Sequence, residues 1–519
     1  MTRIVLVALV ACGITVQKES KKSEPSIAVV GAGMAGLSAA RRLTELGLTD
    51  FDIYEGATRI GGRIHPIPYE NGYLQMGAQF INGKNNPIYE IANKLNVVDS
   101  ILPDTAQFSR ADFLFGNQTI DWDDIEKFKE FAEPLYDKYR TMVKNYDLLS
   151  RVYTIKTLFM EEYSNFLKKN NIFGERKNVM DAMIRPFRTF WEFEWGGDWK
   201  DLSPRVLAEF NQMSSEGDSF TTGPVGFKAI IDYMHEGVAP KHFQFNKTVT
   251  NIQYGTDGVY ITTQQDGRIK KRYDYVIVTA SLGHLKKFHK KLFTPALPRS
   301  KVEAIEKIGF GGNCKIFFRW ETPFWKNGTN YLTPLPIEGK ARDSLDPFEV
   351  EMNTLEVVSW APNTLMAFIG GAGHELVDNM DDADISSKVT TLFRDMMNDQ
   401  TIPPPSQIIR TKLTKNDLLL GSYSYLSKDQ AQAGISHSRL GIPVKIDGRP
   451  RVFFAGEATH HRLFQTTVGA YMSGRRDADR ILKDFYSKSV LKSKLTIKQK
   501  KDCSFSCDTP ILIKANASY

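Results

Sequence analysis

One glycine-rich turn, set between a short apolar run and a helix, constrains this 519-residue chain more than any other feature. Ile27–Val30 is apolar and rich in β-branched residues, which suits a buried parallel strand. Gly-Ala-Gly-Met-Ala-Gly follows at residues 31–36, and residues 37–46 then predict a helix that a glycine ends. A second strand, Phe51–Tyr54, finishes at Glu55. This order predicts an α/β fold that opens with a parallel sheet.

Each residue type in this segment meets a requirement of a dinucleotide-binding site. Gly31 permits the tight turn, Gly33 leaves room for a pyrophosphate at the backbone, and Gly36 lets helix and strand pack closely. The helix N-terminus offers free N–H groups and a partial positive charge to the phosphates. Glu55 stands where an acid can accept from the ribose hydroxyls. Strand, glycines, helix, strand and acid together predict dinucleotide binding.

A second loop follows Glu55 at once, with the sequence Arg-Ile-Gly-Gly-Arg at residues 59–63. Its glycines, among them Gly62, and its last residue, Arg63, allow this loop to approach the same pyrophosphate. A cofactor held from two sides dissociates slowly. That behaviour is more typical of a flavin than of a nicotinamide.

The remainder of the chain alternates between helical and strand-like stretches. Residues 121–215 show helical periodicity, and a further helix is predicted at 227–234. Apolar or β-branched runs predict strands at residues 243–252, 258–263, 275–279, 315–320, 365–369 and 452–455. We expect the run at 275–279 to rejoin the nucleotide sheet, and the runs at 315–320 and 365–369 to form a second sheet.

Near the C-terminus the sequence again shows a strand, an acid and a helix that contains glycines. The strand at 452–455 runs into Glu457, and a helix with Gly469 and Gly474 on its early face begins near Val468. The acid can bind a polyol hydroxyl, and the glycines let the helix N-terminus lie against a flat ring or a phosphate. Taken alone, this segment is also compatible with an ordinary strand, loop and helix.

Six segments carry a family resemblance: VVGAGMAGLSAARRL, IGGRIHPI, GAQFINGKNNPIYEIANKL, FGGNCKIFFRWETPFW, LGSYSY and FFAGEATHHRLFQTTVGAYMSGRRDADRIL. The chain resembles the flavin monoamine and polyamine oxidase family from residue 27 to residue 484, and within it is most similar to the polyamine and spermine oxidases. The resemblance implies an α/β (α+β two-domain) fold. A Rossmann-type FAD-binding domain would be assembled from discontinuous segments, beside a substrate-binding domain with a mixed sheet and helices.

The expected boundaries follow from that architecture. They are a signal peptide at 1–16, FAD-binding segments at 26–105, 223–290 and 426–486, substrate-domain segments at 106–222 (helical) and 291–425 (sheet), and a basic tail at 487–519.

The resemblance also implies roles for individual residues, with FAD bound non-covalently. The expected cofactor-binding residues are Gly31, Gly33, Ala35, Gly36, Glu55, Gly62, Arg63, Gly77, Ala78, Gln79, Val249, Glu457, Thr467 and Val468. The expected substrate-binding residues are Gln79, Asn82, Glu194, Tyr425 and Thr466, and for Tyr425 packing in the core is an equal alternative. Lys315 is the expected catalytic residue, since the family has a lysine there that holds a water near flavin N5. Burial beside a flavin would lower the pKa of such a lysine.

The activity implied is oxidation of a secondary amine of spermine, spermidine or an N-acetylated polyamine. In this chemistry a neutral amine gives a hydride to flavin N5, and O₂ is the electron acceptor. The products are an aldehyde, a shorter amine and H₂O₂. A polyamine is cationic, so its binding site needs carboxylates and aromatic walls. Besides Glu194, the acids in suitable segments are Glu192, Asp121, Asp123 and Asp124, for which a solvated surface position is the ordinary alternative.

At two positions the sequence departs from the family, so it does not determine which amine is the substrate. Asn82 stands where many animal relatives have His and where plant enzymes use an acid in the same segment. Val468 stands near another common His position. Neither side chain titrates, so a catalytically impaired flavin-binding relative remains an alternative, as does an L-amino-acid oxidase, which needs an arginine for its substrate carboxylate. A monoamine oxidase is disfavoured, because the cysteine that binds flavin covalently is missing near Ser422 and no membrane helix follows.

Composition bounds the partners and the compartment. The net charge is +7, but much of the excess lies in lysine runs at the two ends, which are typical of solvated tails, so nucleic acid is not an expected partner. Arg3 and the apolar run at 4–11 predict a secretory signal, and with it a glycoprotein that is secreted or stays in the lumen of the secretory pathway. Sequons lie at Asn117, Asn246, Asn327 and Asn516, Cys503 and Cys507 could pair, and no spacing suits a metal site. The sequence does not predict an oligomeric state.

Overall fold

The computed structural model describes residues 24–102, 111–118, 120–145, 151–210, 219–338, 345–352 and 354–490. The expected signal peptide at 1–16, the lysine-rich ends, Cys503 with Cys507, and the sequon at Asn516 lie outside the described residues.

The strands of the described chain are β1 (Ile27–Val30), β2 (Phe51–Tyr54), β3 (Pro66–Tyr69), β4 (Gly72–Gln75), β5 (Ile81–Asn82), β6 (Val98–Leu102), β7 (Ala111–Leu114), β8 (Ser219–Thr222), β9 (Phe243–Gln244), β10 (Val249–Tyr254), β11 (Val259–Thr263), β12 (Gly267–Arg268), β13 (Tyr275–Val278), β14 (Phe293–Thr294), β15 (Gly309–Gly311), β16 (Cys314–Arg319), β17 (Tyr331–Pro334), β18 (Leu355–Val357), β19 (Thr364–Ile369), β20 (Gln407–Arg410), β21 (Tyr423–Tyr425), β22 (Val444–Ile446) and β23 (Arg449–Phe454).

The α-helices of the same residues are α1 (Met34–Glu45), α2 (Pro87–Lys94), α3 (Trp122–Ala132), α4 (Leu135–Asn145), α5 (Ile155–Lys169), α6 (Glu175–Trp195), α7 (Val206–Glu209), α8 (Phe227–Glu236), α9 (Leu282–Leu292), α10 (Arg299–Lys307), α11 (Pro347–Glu351), α12 (Gly373–Asp378), α13 (Asp382–Met397), α14 (Lys428–Gln432), α15 (His437–Leu440) and α16 (Thr467–Val490).

The nucleotide sheet is assembled from distant parts of the chain. Its six strands lie in the order β22-β23-β13-β1-β2-β9, and β1 runs parallel to both β2 and β13. β13 in turn pairs in parallel with β23 from the C-terminal region. The expectation that residues 275–279 rejoin this sheet is confirmed. Parallel strands need crossover connections, and that requirement lets segments far apart in sequence become neighbours.

Helices α1 and α16 pack closely against each other beside this sheet. The hydroxyl of Ser38 donates to the backbone oxygen of Tyr471 across 2.6 Å. A Cβ atom at Gly474 would lie 2.2 Å from the backbone oxygen of Ala35, so only glycine permits this approach. The first and last helices of the described chain therefore share one surface of the core.

A second six-stranded sheet, in the order β20-β16-β19-β18-β17-β7, contains both runs predicted for it. The helices between residues 122 and 209 pack around a separate aromatic-rich core that includes Phe159, Trp191 and Trp195. The predicted mixed α/β two-domain fold is confirmed. None of the helices in the described ranges is both long and apolar enough to cross a bilayer.

One predicted strand is wrong. The run at 243–252 is split, because Asn246 adopts a positive φ of 52° and turns the chain. Next to this turn, the backbone N–H of Lys247 donates to the backbone oxygen of Glu55, at the end of β2, across 2.8 Å. β9 therefore joins the nucleotide sheet, whereas β10 joins a four-stranded sheet.

Candidate active site

A cavity of about 340 Å³ is lined by segments that lie between residues 30 and 470 of the chain. It brings together most of the residues predicted from the sequence: Gly31, Gly33, Ala35, Glu55, Gly62, Arg63, Gly77, Ala78, Gln79, Asn82, Glu194, Val249, Lys315, Glu457, Thr466 and Thr467. The predicted residues therefore share one site, whereas their individual roles stay predictions.

The glycine turn forms one end of this cavity. Gly31 has a φ of +103°, and a Cβ atom at Gly36 would lie 1.9 Å from the backbone oxygen of Gly31. Gly33 caps helix α1 without a side chain, and the first turn of that helix contains no acid. Its N-terminal N–H groups therefore stay available to an anion at the cavity wall.

The second loop lies directly against the first. The backbone N–H of Gly61 donates to the backbone oxygen of Ala32 across 2.9 Å. Gly62 has a φ of +57°, and a Cβ atom there would stand 3.5 Å from the Cα atom of Gly33. Both loops thus present bare backbone to the same part of the cavity.

Glu55 ends strand β2 at the cavity and is buried. Its carboxylate accepts from the backbone N–H of Ala32 at 2.7 Å and from that of Ala57 at 2.8 Å. Burial raises the pKa of Glu55, while these N–H groups favour its charged form. Each carboxylate oxygen keeps a free lone pair after one such bond, so Glu55 can still accept from a ribose hydroxyl.

Glu457 links the C-terminal strand to the second loop. Its carboxylate lies 2.8 Å from the guanidinium nitrogen of Arg63. The Ser424 hydroxyl donates to it at 2.6 Å, and the backbone N–H of Gln465 donates at 2.7 Å. Arg63 also donates to the backbone oxygen of Ser422 at 2.7 Å. These contacts hold Arg63 and Glu457 in place at the cavity wall.

Lys315 lines the cavity beside the segment at residues 75–79. Its side chain is buried, and Nζ donates to the backbone oxygens of Gln75 (2.8 Å) and Gly77 (2.7 Å) and to Oε1 of Gln79 (2.7 Å). Burial lowers the pKa of Lys315 to about 7, whereas the charge of Glu356 acts in the opposite direction. The three oxygen acceptors also favour the charged form. A lysine so balanced can exchange a proton near neutral pH.

Beyond Lys315 the cavity becomes an aromatic chamber, which we define by Phe190, Phe193, Phe368 and Tyr423. The rings of Phe193 and Phe368 have centroids 4.4 Å apart. Nζ of Lys315 lies 4.7 Å from the centroid of the Phe368 ring. These four residues were not predicted as site residues, although the aromatic run at 190–195 and the apolar run of β19 were visible in the sequence.

Tyr425 does not line this cavity, contrary to expectation. Its ring packs against Gly197 and Gly309, where an added Cβ would lie 2.7 Å and 2.5 Å from it, and against the helical core. Tyr423, two residues earlier, lines the chamber instead and donates to the backbone oxygen of Phe193. The difference arises because the two glycines leave a slot that takes up the Tyr425 ring.

Two other predicted cofactor residues do not line the cavity either. Val468 is 1% exposed and packs in the core between the nucleotide sheet and its helices. Gly36 lies under the glycine turn, where its lack of a side chain serves packing. Gly36 therefore shapes the cavity through the close packing that it allows.

The further acids named from the sequence also lie elsewhere. Glu192 is buried beside Arg188 and the backbone N–H of Trp199, and burial raises its pKa to about 7. Asp124 pairs with Arg176 at 2.6 Å. Asp121 caps helix α3 and, like Asp123, is exposed.

The glycine turn, the second loop, the N-terminus of α1 and Glu55 form the part of the cavity that we call the dinucleotide cradle. This cradle fits a dinucleotide cofactor. Positions 31, 36 and 62 exclude side chains by conformation or by space, a helix N-terminus free of acids faces the cavity, and a carboxylate stands at the strand end beside it. Among the described residues, no group of three or more His, Cys, Asp or Glu side chains could hold a metal ion.

Comparisons with known proteins agree with this site. The family model described as "Flavin containing amine oxidoreductase" matches residues 34–482. The peroxisomal N(1)-acetyl-spermine/spermidine oxidase of Bos taurus is 27% identical over 497 residues, covering 90% of this chain and 96% of the bovine protein. The human protein of the same name is 26% identical and is covered to 95% of its length, with 88% of this chain.

A solved structure shows the same fold at lower identity. Cyclohexylamine oxidase from Brevibacterium oxydans superposes with a TM-score of 0.65 at 18% identity, covering 89% of this chain and 99% of the bacterial one. The family match extends over most of the chain and includes the elements that build the cavity. The chain belongs to the flavin-containing amine oxidoreductase family and is a flavin-dependent amine oxidase.

Proposed function

We propose that this chain is an FAD-dependent polyamine oxidase. It oxidises a secondary amine of spermine, spermidine or an N-acetylated polyamine and uses O₂ as the electron acceptor. The products are an aldehyde, a shorter amine and H₂O₂. The proposal is supported by the named activity of the bovine and human relatives and by the chemistry of the cavity.

The observation that carries the proposal is the position of Lys315. Its Nζ donates to the backbone oxygen of Gly77, whose neighbour Ala78 is hydrogen-bonded to Arg63 of the second loop. The same Nζ lies 4.7 Å from the centroid of the Phe368 ring in the aromatic chamber. An amine that enters the chamber therefore meets a titratable lysine at the place where the cofactor end of the cavity begins.

The residues proposed to hold FAD are those that shape the cradle. Helix α1 and the two glycine loops would bind the pyrophosphate, Glu55 the ribose, and Arg63 with Glu457 the middle of the molecule. When bound, the flavin supplies the two-electron oxidation of the amine and the return of those electrons to O₂.

Lys315 controls protons at its Nζ atom. Polyamine nitrogens are protonated in water, and only the neutral amine can be oxidised. With a pKa lowered to about 7 by burial, the neutral fraction of Lys315 can accept that proton directly or through a water. The acceptors on Gln75, Gly77 and Gln79 fix the Nζ position during the transfer.

The aromatic chamber positions the substrate and excludes water. The faces of Phe193, Phe368 and Tyr423 can stabilise a cationic nitrogen that is not being oxidised. Burial of the methylene chain between these rings contributes about 0.8 kcal/mol for each CH₂ group removed from water.

Two features of the cavity weigh against the alternatives. Arg63 is the arginine among the described lining residues, and it is already bound to Glu457 and Ser422. It lies outside the aromatic chamber, where an L-amino-acid oxidase would need a guanidinium. The thiol of Cys314 is directed to the backbone oxygen of Thr411 at 3.3 Å, and no cysteine lines the described cavity, which supports non-covalent binding of FAD.

The test is direct. We expect purified protein to show the absorption bands of oxidised flavin and to release intact FAD on acid denaturation. Peroxide release is then compared for spermine, spermidine, their N-acetyl forms, cyclohexylamine and L-amino acids. Turnover of the polyamines with the highest kcat/KM supports the proposal. Preference for an amino acid or for cyclohexylamine, or a yellow protein that oxidises no amine, would refute it.

A further inference from the structure

Glu356 lies on the same face of the second sheet as Lys315. Lys315 in β16 pairs with Phe368 in β19, and Phe368 shares its strand face with Met366 two residues away. Met366 pairs with Glu356 in β18, and Glu356 with Tyr331 in β17. Directly paired residues lie on the same face of a sheet, so this row crosses four strands on one face.

The spacing between the two charged groups follows from the same pairing. Glu356 is two strands and two residues away from Lys315, which puts their Cα atoms about 12 Å apart. Between them stands Phe368, whose ring lies under Nζ of Lys315.

Glu356 borders a small cavity of about 20 Å³, and the lining of that cavity continues the aromatic chamber. Phe190, Phe193 and Phe368 line both spaces. The small cavity is further lined by Thr189, Tyr331, Thr354, Glu356 and Met366. A volume of about 20 Å³ accepts one group of the size of a water molecule, and an ammonium group has that size.

Within the described residues, no hydrogen-bond donor and no cation at ion-pair distance reaches the Glu356 carboxylate. Lys315 acts on it through its field, while the Nζ atom itself donates to Gln75, Gly77 and Gln79. Glu356 is half-buried, and an ionised carboxylate that is withdrawn from water without a partner is costly. Burial accordingly raises the pKa of Glu356 to about 7.

We propose that Glu356 forms a subsite for a second, non-reacting ammonium group of the substrate. This inference rests on the proposed function and specifies its substrate class: amines with another cationic nitrogen a few methylenes from the nitrogen that is oxidised. The nitrogen to be oxidised lies beside Lys315, and the other passes the rings of Phe193 and Phe368 to reach Glu356. Its charge pairs with the carboxylate and keeps it ionised.

Because of this subsite, a diamine should bind more tightly than a monoamine of the same length. A monoamine places a methyl group against the carboxylate and gains no ion pair. Loss of one partner of such a charge pair should weaken binding by about 100-fold, which equals about 2.8 kcal/mol at 1.4 kcal/mol for each factor of ten.

The experiment compares wild type with Glu356→Gln, which keeps the shape and removes the charge. Two substrate pairs are used: spermidine against N-butylpropylamine, and putrescine against butylamine. We expect Glu356→Gln to lose about 100-fold in kcat/KM for spermidine, mostly through KM, with less than threefold change for N-butylpropylamine. Glu321→Gln, an exposed acid after the end of β16, is the matched control and should change neither.

A binding readout separates the subsite from turnover. The rise in Tm caused by putrescine and by butylamine is measured for both proteins. Wild type should be stabilised by the diamine far more than by the monoamine, and Glu356→Gln should abolish that difference. An unchanged diamine preference in Glu356→Gln would overturn the subsite even if the enzyme is a polyamine oxidase. A wild type that binds diamines through Glu356 but oxidises no polyamine would refute the proposed function alone.

Discussion

The guanidinium of Arg63 and the carboxylate of Glu457 lie 2.8 Å apart, although 394 positions separate them in the chain. The pair connects the second glycine loop to the C-terminal segment, and both residues line the cavity. Ser424 and Gln465 donate to the same carboxylate, so its loss leaves several buried donors without an acceptor.

Glu457→Ala should therefore destabilise the protein by about 3 kcal/mol and weaken flavin retention, because one partner of a buried, hydrogen-bonded pair is removed. Urea unfolding and the ratio of flavin to protein absorbance measure the two effects. Asp479→Ala removes another long-range pair, with Arg42 at 2.7 Å, but that pair is exposed and should cost less than 1 kcal/mol. Equal effects of the two substitutions would contradict the central role of Glu457.

Gly36→Ala should abolish flavin binding, since the new Cβ would meet the backbone oxygen of Gly31 at 1.9 Å and force the glycine turn open. Gly223→Ala is the matched control, because no atom lies within 4 Å of a Cβ there. Flavin content after purification distinguishes them, with secondary structure checked by circular dichroism. A yellow, fully loaded Gly36→Ala protein would show that the turn does not hold the cofactor.

Lys315→Met should slow amine oxidation by about 100-fold or more, in the range for loss of a positioned proton-transfer group. The rate should also lose the dependence on pH near 7 that the lowered pKa of Lys315 gives it. Anaerobic stopped-flow mixing with spermidine between pH 6 and 9 measures this.

Lys301 provides the control for Lys315. It is likewise buried, burial lowers its pKa to about 7, and it donates to three backbone oxygens, but it lies away from the cavity. Lys301→Met should lower stability and leave the rate per bound flavin unchanged. If both variants react like wild type, Lys315 has no part in the reaction.

The pH dependence of stability tests the environment of Glu356. Its pKa in the folded protein is raised from 4.5 to about 7, so the native state holds a proton that the unfolded chain has released. That contribution is fully present below pH 4.5 and is lost as the pH rises through 7. Relative to Glu356→Gln, the wild type should lose about 3 kcal/mol at most over this interval. Urea unfolding at pH 4.5, 5.5, 6.5 and 7.5 measures it, and parallel curves would rule out a buried carboxyl.

Tyr423→Phe should raise KM for the amine about tenfold, because its hydroxyl connects the backbone oxygen of Phe193 with the side chain of Asn313 at the chamber wall. Tyr425→Phe should have little effect on KM, since that ring lies in the helical core. Steady-state kinetics with spermidine decides between the two tyrosines. A larger effect of Tyr425→Phe would restore the prediction made from the sequence.

The dinucleotide-binding part of the site could be predicted from the sequence, because the residues that form it are close together in the chain. Gly31, Gly33 and Gly36 act through backbone conformation and space within one turn, and Glu55 stands at the end of the next strand. A pattern of a few adjacent residues therefore specifies that geometry. The resemblance to amine oxidases extended it to Glu457 and Lys315.

The substrate end depends on which strands become neighbours and which side chains fill the space between sheets. Glu356 lies on the same sheet face as Lys315 because β18 pairs with β19. Tyr425 lies outside the cavity because Gly197 and Gly309 leave space for its ring. Non-local pairing and packing are set by the whole fold. Residue types along the chain thus determined that a flavin is bound, whereas the tertiary structure alone decided which side chains face the amine.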